Sequence, residues 1–177
     1  VCGPTASGKN TLIDILKKYC KEKGYHFYFS VSATTRKIRP HEVEGQNYFF
    51  LSTDDFNEKI GQDYFVEYEN VHGKFYGTPR ESLYAHLNSG SVGAADVDVF
   101  GAQRIVKKMK KDGREDPVTI YIYVESDDEI KARFYNRLEV TEENATDEQK
   151  SDLANRLTRK AIEDKERTTF KYVINSK

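Results

Sequence analysis

The sequence predicts a single α/β domain with a parallel sheet at its core, and three observations predict it. Short apolar runs alternate along the chain with segments of helical period, the pattern of strands linked by helices. A glycine-bearing turn, Gly3 to Lys9, stands between an apolar strand end at Val1-Cys2 and a segment of helical period. The length, 177 residues, suits one domain whose core is large enough to need no staple.

The elements follow in order. Asn10 to Lys23 reads as a helix with Leu12, Ile15, Leu16 and Tyr19 on one face, ended by Gly24. Tyr25 to Phe29 and Tyr48 to Leu51 read as strands, and Ser52 with Asp55 three residues on opens a short helix to Ile60. Tyr64 to Tyr68 and Phe75 to Tyr76 read as strands flanking a turn at His72-Gly73, which makes residues 30 to 80 strand-rich. Pro79 fits the first turn of a helix to Leu87. Val92 to Val99 then reads as a strand, Ala102 to Lys111 as a helix and Val118 to Val124 as a buried strand. Ser126 with Glu129 is a second capping signal, before a helix to Leu138. Glu139 to Asp152, charged and poor in apolar residues, is expected to be a mobile lid segment. Leu153 to Arg167 regains helical spacing, and Tyr172 to Ile174 closes the chain as a strand.

Composition narrows the function classes. Lys plus Arg number 28 against 29 Asp plus Glu, a net charge of -1, so a sequence-wide attraction to nucleic acid or anionic membrane has no support and any basic site is local. A 37% hydrophobic share with 12 Tyr and 10 Phe is too apolar for a disordered chain, and 32% charged residues leave no room for a membrane span. Cys2 and Cys20 are too few for a disulfide framework or a four-ligand zinc site, which leads us to expect a reducing, cytoplasmic home. His26, His41, His72 and His86 are scattered, with no i, i+4 pair to suggest metal ligation.

Chemistry enters at Gly3-Pro4-Thr5-Ala6-Ser7-Gly8-Lys9-Asn10, which fits G-x-x-x-x-G-K between a strand end and a helix start. Glycines let backbone N–H groups converge on phosphate oxygens, the helix N-terminus favours the anion, and Lys9 supplies a mobile cation. A tight strand-to-helix turn alone would explain the glycines but not the lysine. The eighth position carries Asn10 where the motif has Ser or Thr to place a hydroxyl on magnesium, and its amide oxygen is a hard neutral substitute.

A second constellation spans residues 30 to 48, where Arg36, Arg39, Ser32 and Tyr48 offer forked cationic and neutral donors suited to a dianionic monophosphate. Taken alone, these residues fit a solvated basic turn better.

The phosphate loop, S-x-T-T-R-x-x-R-P from Ser32, E-V-x-G-x-x-Y to Tyr48, Phe65-Val66-Glu67, Gly73-Lys74-Phe75-Tyr76-Gly77-Thr78 and Asp96-Val97-Asp98-Val99-Phe100-Gly101-Ala102 occur in the order seen in guanylate kinases, and the sequence resembles that family over nearly its whole length. The resemblance implies a P-loop nucleoside monophosphate kinase fold: a parallel-sheet core (1–30, 80–125 and 157–177), a strand-rich GMP-binding region (31–79) and a helical lid (126–156). It implies phosphoryl transfer from ATP, with magnesium, to GMP, with acceptance of dGMP left open, and no nucleic-acid or membrane partner. Monomer and dimer both remain open. Carried over by position, Gly3, Ala6, Ser7, Gly8, Lys9, Asn10, Thr11 and Asn175 look like the ATP site, Ala6 standing where the family commonly has another glycine. Ser32, Arg36, Arg39, Tyr48 and Tyr76 look like the GMP phosphate site, and Glu67, Thr78 and Asp98 like the guanine-reading groups. Lys9, Arg39, Arg133, Arg137 and Arg156 look like the catalytic cations, and Asn10 and Asp96 are candidates toward magnesium. Glu67 makes chemical sense there: a carboxylate accepts from guanine N1–H and N2–H together, whereas adenine presents an acceptor at N1.

Three departures stand beside the match. Lys171 replaces an expected Asp near Asn175, and the spacing from Arg137 to Arg156 is longer than usual for the family. A chain that opens Val-Cys-Gly-Pro and closes at a strand, where the family has a last helix, is expected to have residues beyond both ends. The rival reading, which Asn10 favours, is a non-catalytic guanylate-kinase-like module that binds a phosphorylated peptide in the monophosphate site.

Overall fold

A computed structural model, which describes residues 1–71, 73–85 and 90–177, gives the elements α1 (Lys9–Lys23), β1 (Phe27–Phe29), β2 (Ala33–Thr34), β3 (Phe49–Phe50), α2 (Thr53–Gly61), β4 (Phe65–Val71) and β5 (Lys74–Pro79). These are followed by α3 (Arg80–Tyr84), β6 (Val92–Ala94), α4 (Val99–Lys111), β7 (Ile120–Tyr123), α5 (Asp127–Arg137), α6 (Asp147–Glu163), a 3-10 turn (Asp164–Thr169) and β8 (Tyr172–Asn175). The mixture of helices with parallel strand pairs is the α/β class the sequence predicts. The chain divides into two compact units, one of Val1–Leu12, Val97–Val99 and Val118–Lys177, the other of Ile13–Asp96 and Phe100–Pro117.

In the first unit β7 is the central strand. It pairs in parallel with β8, Ile120 opposite Tyr172 through Tyr123 opposite Asn175, and its other edge takes a parallel bridge from Cys2 to Tyr121. Against it α5 and α6 bury Val124, Ile130, Phe134, Tyr135, Ala145 and Leu153, each large apolar side chain contributing about 1.5–3 kcal/mol by leaving water. Ser126 caps α5 by accepting from the Glu129 amide, as its sequence signal predicts. Lys160, nearly buried, joins the two helices through Asp127 at 3.1 Å and Asp164 at 3.0 Å.

The stretch 139–146, expected to be a mobile segment, is instead a folded connection. Thr141 N–H donates to Asn144 Oδ1 at 2.7 Å, Ala145 is buried in the core, and α6 begins at Asp147 rather than Leu153. The cause is a capping box: Thr146 accepts from the Gln149 amide while the Gln149 side chain accepts from the Thr146 amide.

In the second unit β1 and β6 form a parallel pair, and a four-stranded sheet runs in the order β3-β2-β5-β4. β4 and β5 are antiparallel, with an irregular register between Phe65 and Glu67. One face is an aromatic core in which the Phe56 ring stacks on Phe65 at 4.4 Å and on Phe75 at 5.3 Å. Ser52 caps α2 through the Asp55 amide. β2 carries no apolar alternation, so no strand is expected from its sequence; pairing with β3 and β5 makes it one.

One helix face and three boundaries differ from expectation. In α1 the buried residues are Ile13 and Cys20, while Ile15 is 59% and Tyr19 52% exposed, so the inward stripe is turned from the expected one. Pro79 ends β5 as the residue preceding α3 instead of lying in its first turn. β6 stops at Ala94, where its partner β1 ends at Phe29; Ser30 N–H donates to Ala94 O, and Val99 opens α4. The expected helix end at Leu87, with His86, and the turn residue His72 lie outside the described residues. Among the described residues no helix is long and apolar enough to cross a membrane.

Candidate active site

In the first unit the residues from Gly3 to Lys9 form a loop whose shape depends on its glycines. Gly3 has φ +145°, and a Cβ there would overlap Ile122 O of β7 and press on Ser7 Oγ, so no other residue fits without moving the strand. Ala6 holds a left-handed conformation at φ 56° that an L-side chain adopts at a cost of roughly 1 kcal/mol. Ser7 is buried, and its hydroxyl has no hydrogen-bond partner among the described residues. Lys9 turns back so that Nζ donates to Gly3 O at 2.9 Å and Pro4 O at 3.0 Å, tying the loop to the helix it opens.

Two arginines distant in sequence converge on this loop. Arg133 of α5 donates to Ala6 O at 3.1 Å, to Ser176 Oγ at 3.0 Å and to Ser176 O at 3.1 Å. Arg156 of α6 donates to Thr5 Oγ1 at 3.2 Å and is held by Asp152 at 2.8 Å. Arg137 and Arg156 each place the guanidinium 5.7 Å from the Phe134 ring centroid. Lys9, Arg133, Arg156 and the N-terminus of α1 thus gather positive potential at one loop. Asn10 and Thr11 are exposed in the first turn of α1. Asn175 lies on β8 opposite Tyr123.

Asp98 belongs to this unit as well, 3.7 Å from Arg159 Nη2. Arg159 also donates to Glu163 at 2.7 Å. Burial pushes the Glu163 carboxyl up, and Arg159 offsets part of that shift. Sequence reasoning gave Arg159 no role, since nothing at i±3 or i±4 points from it to residue 98.

The second unit carries the other constellation. Arg36 forks onto Glu42, with contacts of 2.9 and 2.8 Å, and Glu42 also accepts from the Arg39 amide at 2.8 Å. Burial pushes the Glu42 carboxyl up, but the Arg36 fork and the Arg39 amide outweigh it and hold the group below its ordinary value. The Arg36 guanidinium lies 5.4 Å from the Tyr48 ring and 5.6 Å from the Phe50 ring, and Tyr48 meets Tyr76 edge-on at 6.0 Å. Burial, then the charge of Asp96, pushes the Tyr48 hydroxyl up to about 12, so it stays a neutral donor. Ser32 is buried just ahead of β2. The structure therefore brings Arg36, Tyr48, Tyr76 and Asp96 together and fixes Arg39 through its backbone.

Glu67 on β4 and Thr78 on β5 are paired in register, both buried, and Thr78 Oγ1 donates to Glu67 Oε1 at 2.7 Å. Asp98, expected with them from the motif order, belongs to the other unit. Arg104 of α4, which no motif marks, reaches Glu67 Oε2 at 3.3 Å.

Comparison with known proteins bears on the family. The family model described as guanylate kinase matches residues 1–176. The chain is 39% identical over 142 residues to a guanylate kinase of Clostridium acetobutylicum, covering 80% of this chain and 63% of that protein. It is 38% identical over 125 residues to a guanylate kinase of Thermotoga maritima, covering 70% and 55% respectively, and 37% identical over 157 residues to one of Campylobacter jejuni, covering 85% and 73%. The chain thus spans less than two thirds of the length of the first two. Among solved structures, that of a guanylate kinase from Anaplasma phagocytophilum shares the fold, with a TM-score of 0.69 at 23% identity over 99% of this chain and 74% of that one.

Proposed function

Because the chain belongs to the guanylate kinase family, we propose that it transfers the γ-phosphoryl group of ATP to GMP, giving ADP and GDP. The observation that carries the choice of acceptor is the buried Glu67–Thr78 pair: the Thr78 hydroxyl steadies the Glu67 carboxylate, whose oxygens match the N1–H and N2–H edge of guanine and mismatch that of adenine. Arg36, Arg39, Ser32, Tyr48 and Tyr76 hold the monophosphate of GMP, with Arg36 and Tyr48 already aligned by Glu42 and the aromatic cluster. The domain division of core, GMP-binding region 31–79 and lid 126–156 belongs to this reading.

The bond from the γ-phosphorus to the β,γ-bridging oxygen breaks as a GMP phosphate oxygen forms its own bond to that phosphorus, and ADP leaves. The attacking oxygen is already ionised, so no general base is required, and catalysis rests on alignment and on neutralising charge spread over the moving group. Lys9, once its contacts to Gly3 O and Pro4 O are exchanged for phosphate, serves the β and γ oxygens. Arg133 and Arg156 offer guanidinium donors from α5 and α6, with Arg137 beside them. Asp98 is carried by this reading as a guanine contact and Asn175 as an adenine contact.

The donor set suits magnesium that arrives on the ATP phosphates. Asn10 adds one neutral amide oxygen, Asp96 is a further candidate, and among the described residues no cluster of three or more His, Cys, Asp or Glu could hold an ion. When bound, the ion neutralises phosphate charge.

A phosphopeptide-binding module has no use for an ATP cradle in which Lys9, Arg133 and Arg156 gather on one loop. Phosphorus NMR of the chain with ATP, magnesium and GMP tests the proposal: β-phosphate signals of both ADP and GDP should grow together. Release of inorganic phosphate alone, or no change, would contradict it.

A further inference from the structure

Arg104 takes no part in the transfer described above, yet its position is specific. It lies on α4 three residues after Gly101, where a Cβ would stand 3.0 Å from Glu67 Oε2, so the missing side chain of Gly101 makes room for the carboxylate. Arg104 Nη2 reaches Glu67 Oε2 at 3.3 Å and Glu69 Oε2 at 2.8 Å. Glu67 and Glu69 are two apart on β4 and so share a face of the strand. The Glu67 side chain is 5% exposed; those of Glu69 and Arg104 are about a third exposed, so the outer carboxylate anchors the arginine from the solvent side.

A carboxylate this deeply buried beside a second carboxylate is driven toward its neutral form unless a cation stands between them. A neutral carboxyl would present an O–H where guanine presents N–H. Rotation matters equally, since N1–H and N2–H lie side by side and need the two oxygens presented together. Thr78 fixes Oε1 and Arg104 fixes Oε2.

We propose that Arg104 is a specificity-positioning residue, which preserves the charge and rotation of Glu67 for guanine, and that Glu69 holds Arg104 to this task. The proposal rests on the reading of Glu67 as the guanine acceptor, and it adds two residues that lie outside the motifs.

Initial rates of the full chain with saturating MgATP test it, with GMP and inosine monophosphate as acceptors, the latter lacking the 2-amino group. Arg104→Gln should raise KM for GMP about ten-fold or more, the worth of one charge-assisted hydrogen bond, with kcat within about two-fold of the parent. It should also lower the GMP-over-inosine-monophosphate ratio of kcat/KM, because the second hydrogen bond is the one that misalignment loses. Arg104→Lys should restore much of the KM, and Glu69→Gln should move it in the same direction as Arg104→Gln but less far. A parent-like KM and ratio in Arg104→Gln overturns the proposal, as does a joint fall of kcat and kcat/KM that Arg104→Lys does not rescue. Should Arg104→Gln fold poorly, a parent-like KM for GMP in well-folded Glu69→Gln overturns it instead. A parent that fails to prefer GMP over AMP would overturn the reading of Glu67 itself, whereas a GMP-selective parent with an indifferent Arg104→Gln removes Arg104 alone.

Discussion

Replacing Glu42 with Gln isolates what the Arg36 fork contributes, because the amide keeps the shape and one acceptor but loses the charge. Both side chains are largely withdrawn from water, 14% and 16% exposed, at a shallow site where an effective dielectric of about 20 applies. Unit charges roughly 4 Å apart then attract by about 4 kcal/mol, and desolvation of the two groups cancels about half, leaving about 2 kcal/mol. For a chain of this length such a loss lowers Tm by about 4–8 °C. Because the folded carboxyl is held below its ordinary value of 4.5, the stabilisation is fully present above that pH and is lost as pH falls through the folded value. Thermal unfolding followed by circular dichroism should show the parent and Glu42→Gln separated between pH 6 and 8 and converging in acid. KM for GMP should rise as well, since Arg36 loses its anchor. A Tm gap that stays constant from neutral pH to about pH 3.5, or no gap at neutral pH, would refute the assignment of this pair as a charge-dependent brace.

Three further predictions follow from the sites. Glu67→Gln turns an acceptor into a donor opposite a guanine donor, so the GMP-over-AMP ratio of kcat/KM should fall at least ten-fold, the worth of one charged hydrogen bond; an unchanged ratio would remove Glu67 from base recognition. Ala6→Gly relieves a left-handed alanine at φ 56° and should raise stability by up to about 1 kcal/mol in a denaturant titration, whereas a loss of that size would show the methyl group to be needed by the loop. Asn10→Ser places a hydroxyl at the first turn of α1 and should lower the magnesium concentration for half-maximal rate; an identical titration curve would mean that residue 10 never bears on the ion.

What the sequence makes legible is what neighbours in sequence determine. The caps at Ser52 and Ser126 rest on contacts within a few residues, the glycine turn before α1 and the strand run of β7 are marked by local residue type, and the structure has them. The fold class follows from their alternation. Less legible is β2, a strand only because β3 and β5 flank it, and the inward stripe of α1, which tertiary burial selects from among several apolar residues. The Thr146 capping box was readable in principle, but the charged composition of 139–152 obscured it. At the sites, the phosphate loop and the Arg36 region are marked by residue type and spacing. The partners that set their geometry are not: Arg104 meets a residue 37 positions away, and Arg156 meets Thr5 across 151. No local period carries such pairings, so Arg104 reads as an ordinary charge on a helix surface and Arg156 is singled out by the resemblance alone.

The most direct test of the proposed activity is a coupled ADP-release assay of the full chain with ATP, magnesium and, in turn, GMP, AMP, CMP and UMP. Turnover with GMP that exceeds every other acceptor by two orders of magnitude or more is the outcome the Glu67–Thr78 pair predicts. Equal turnover with AMP would contradict the guanine pocket, and binding of GMP without ADP release from any acceptor would contradict the kinase itself.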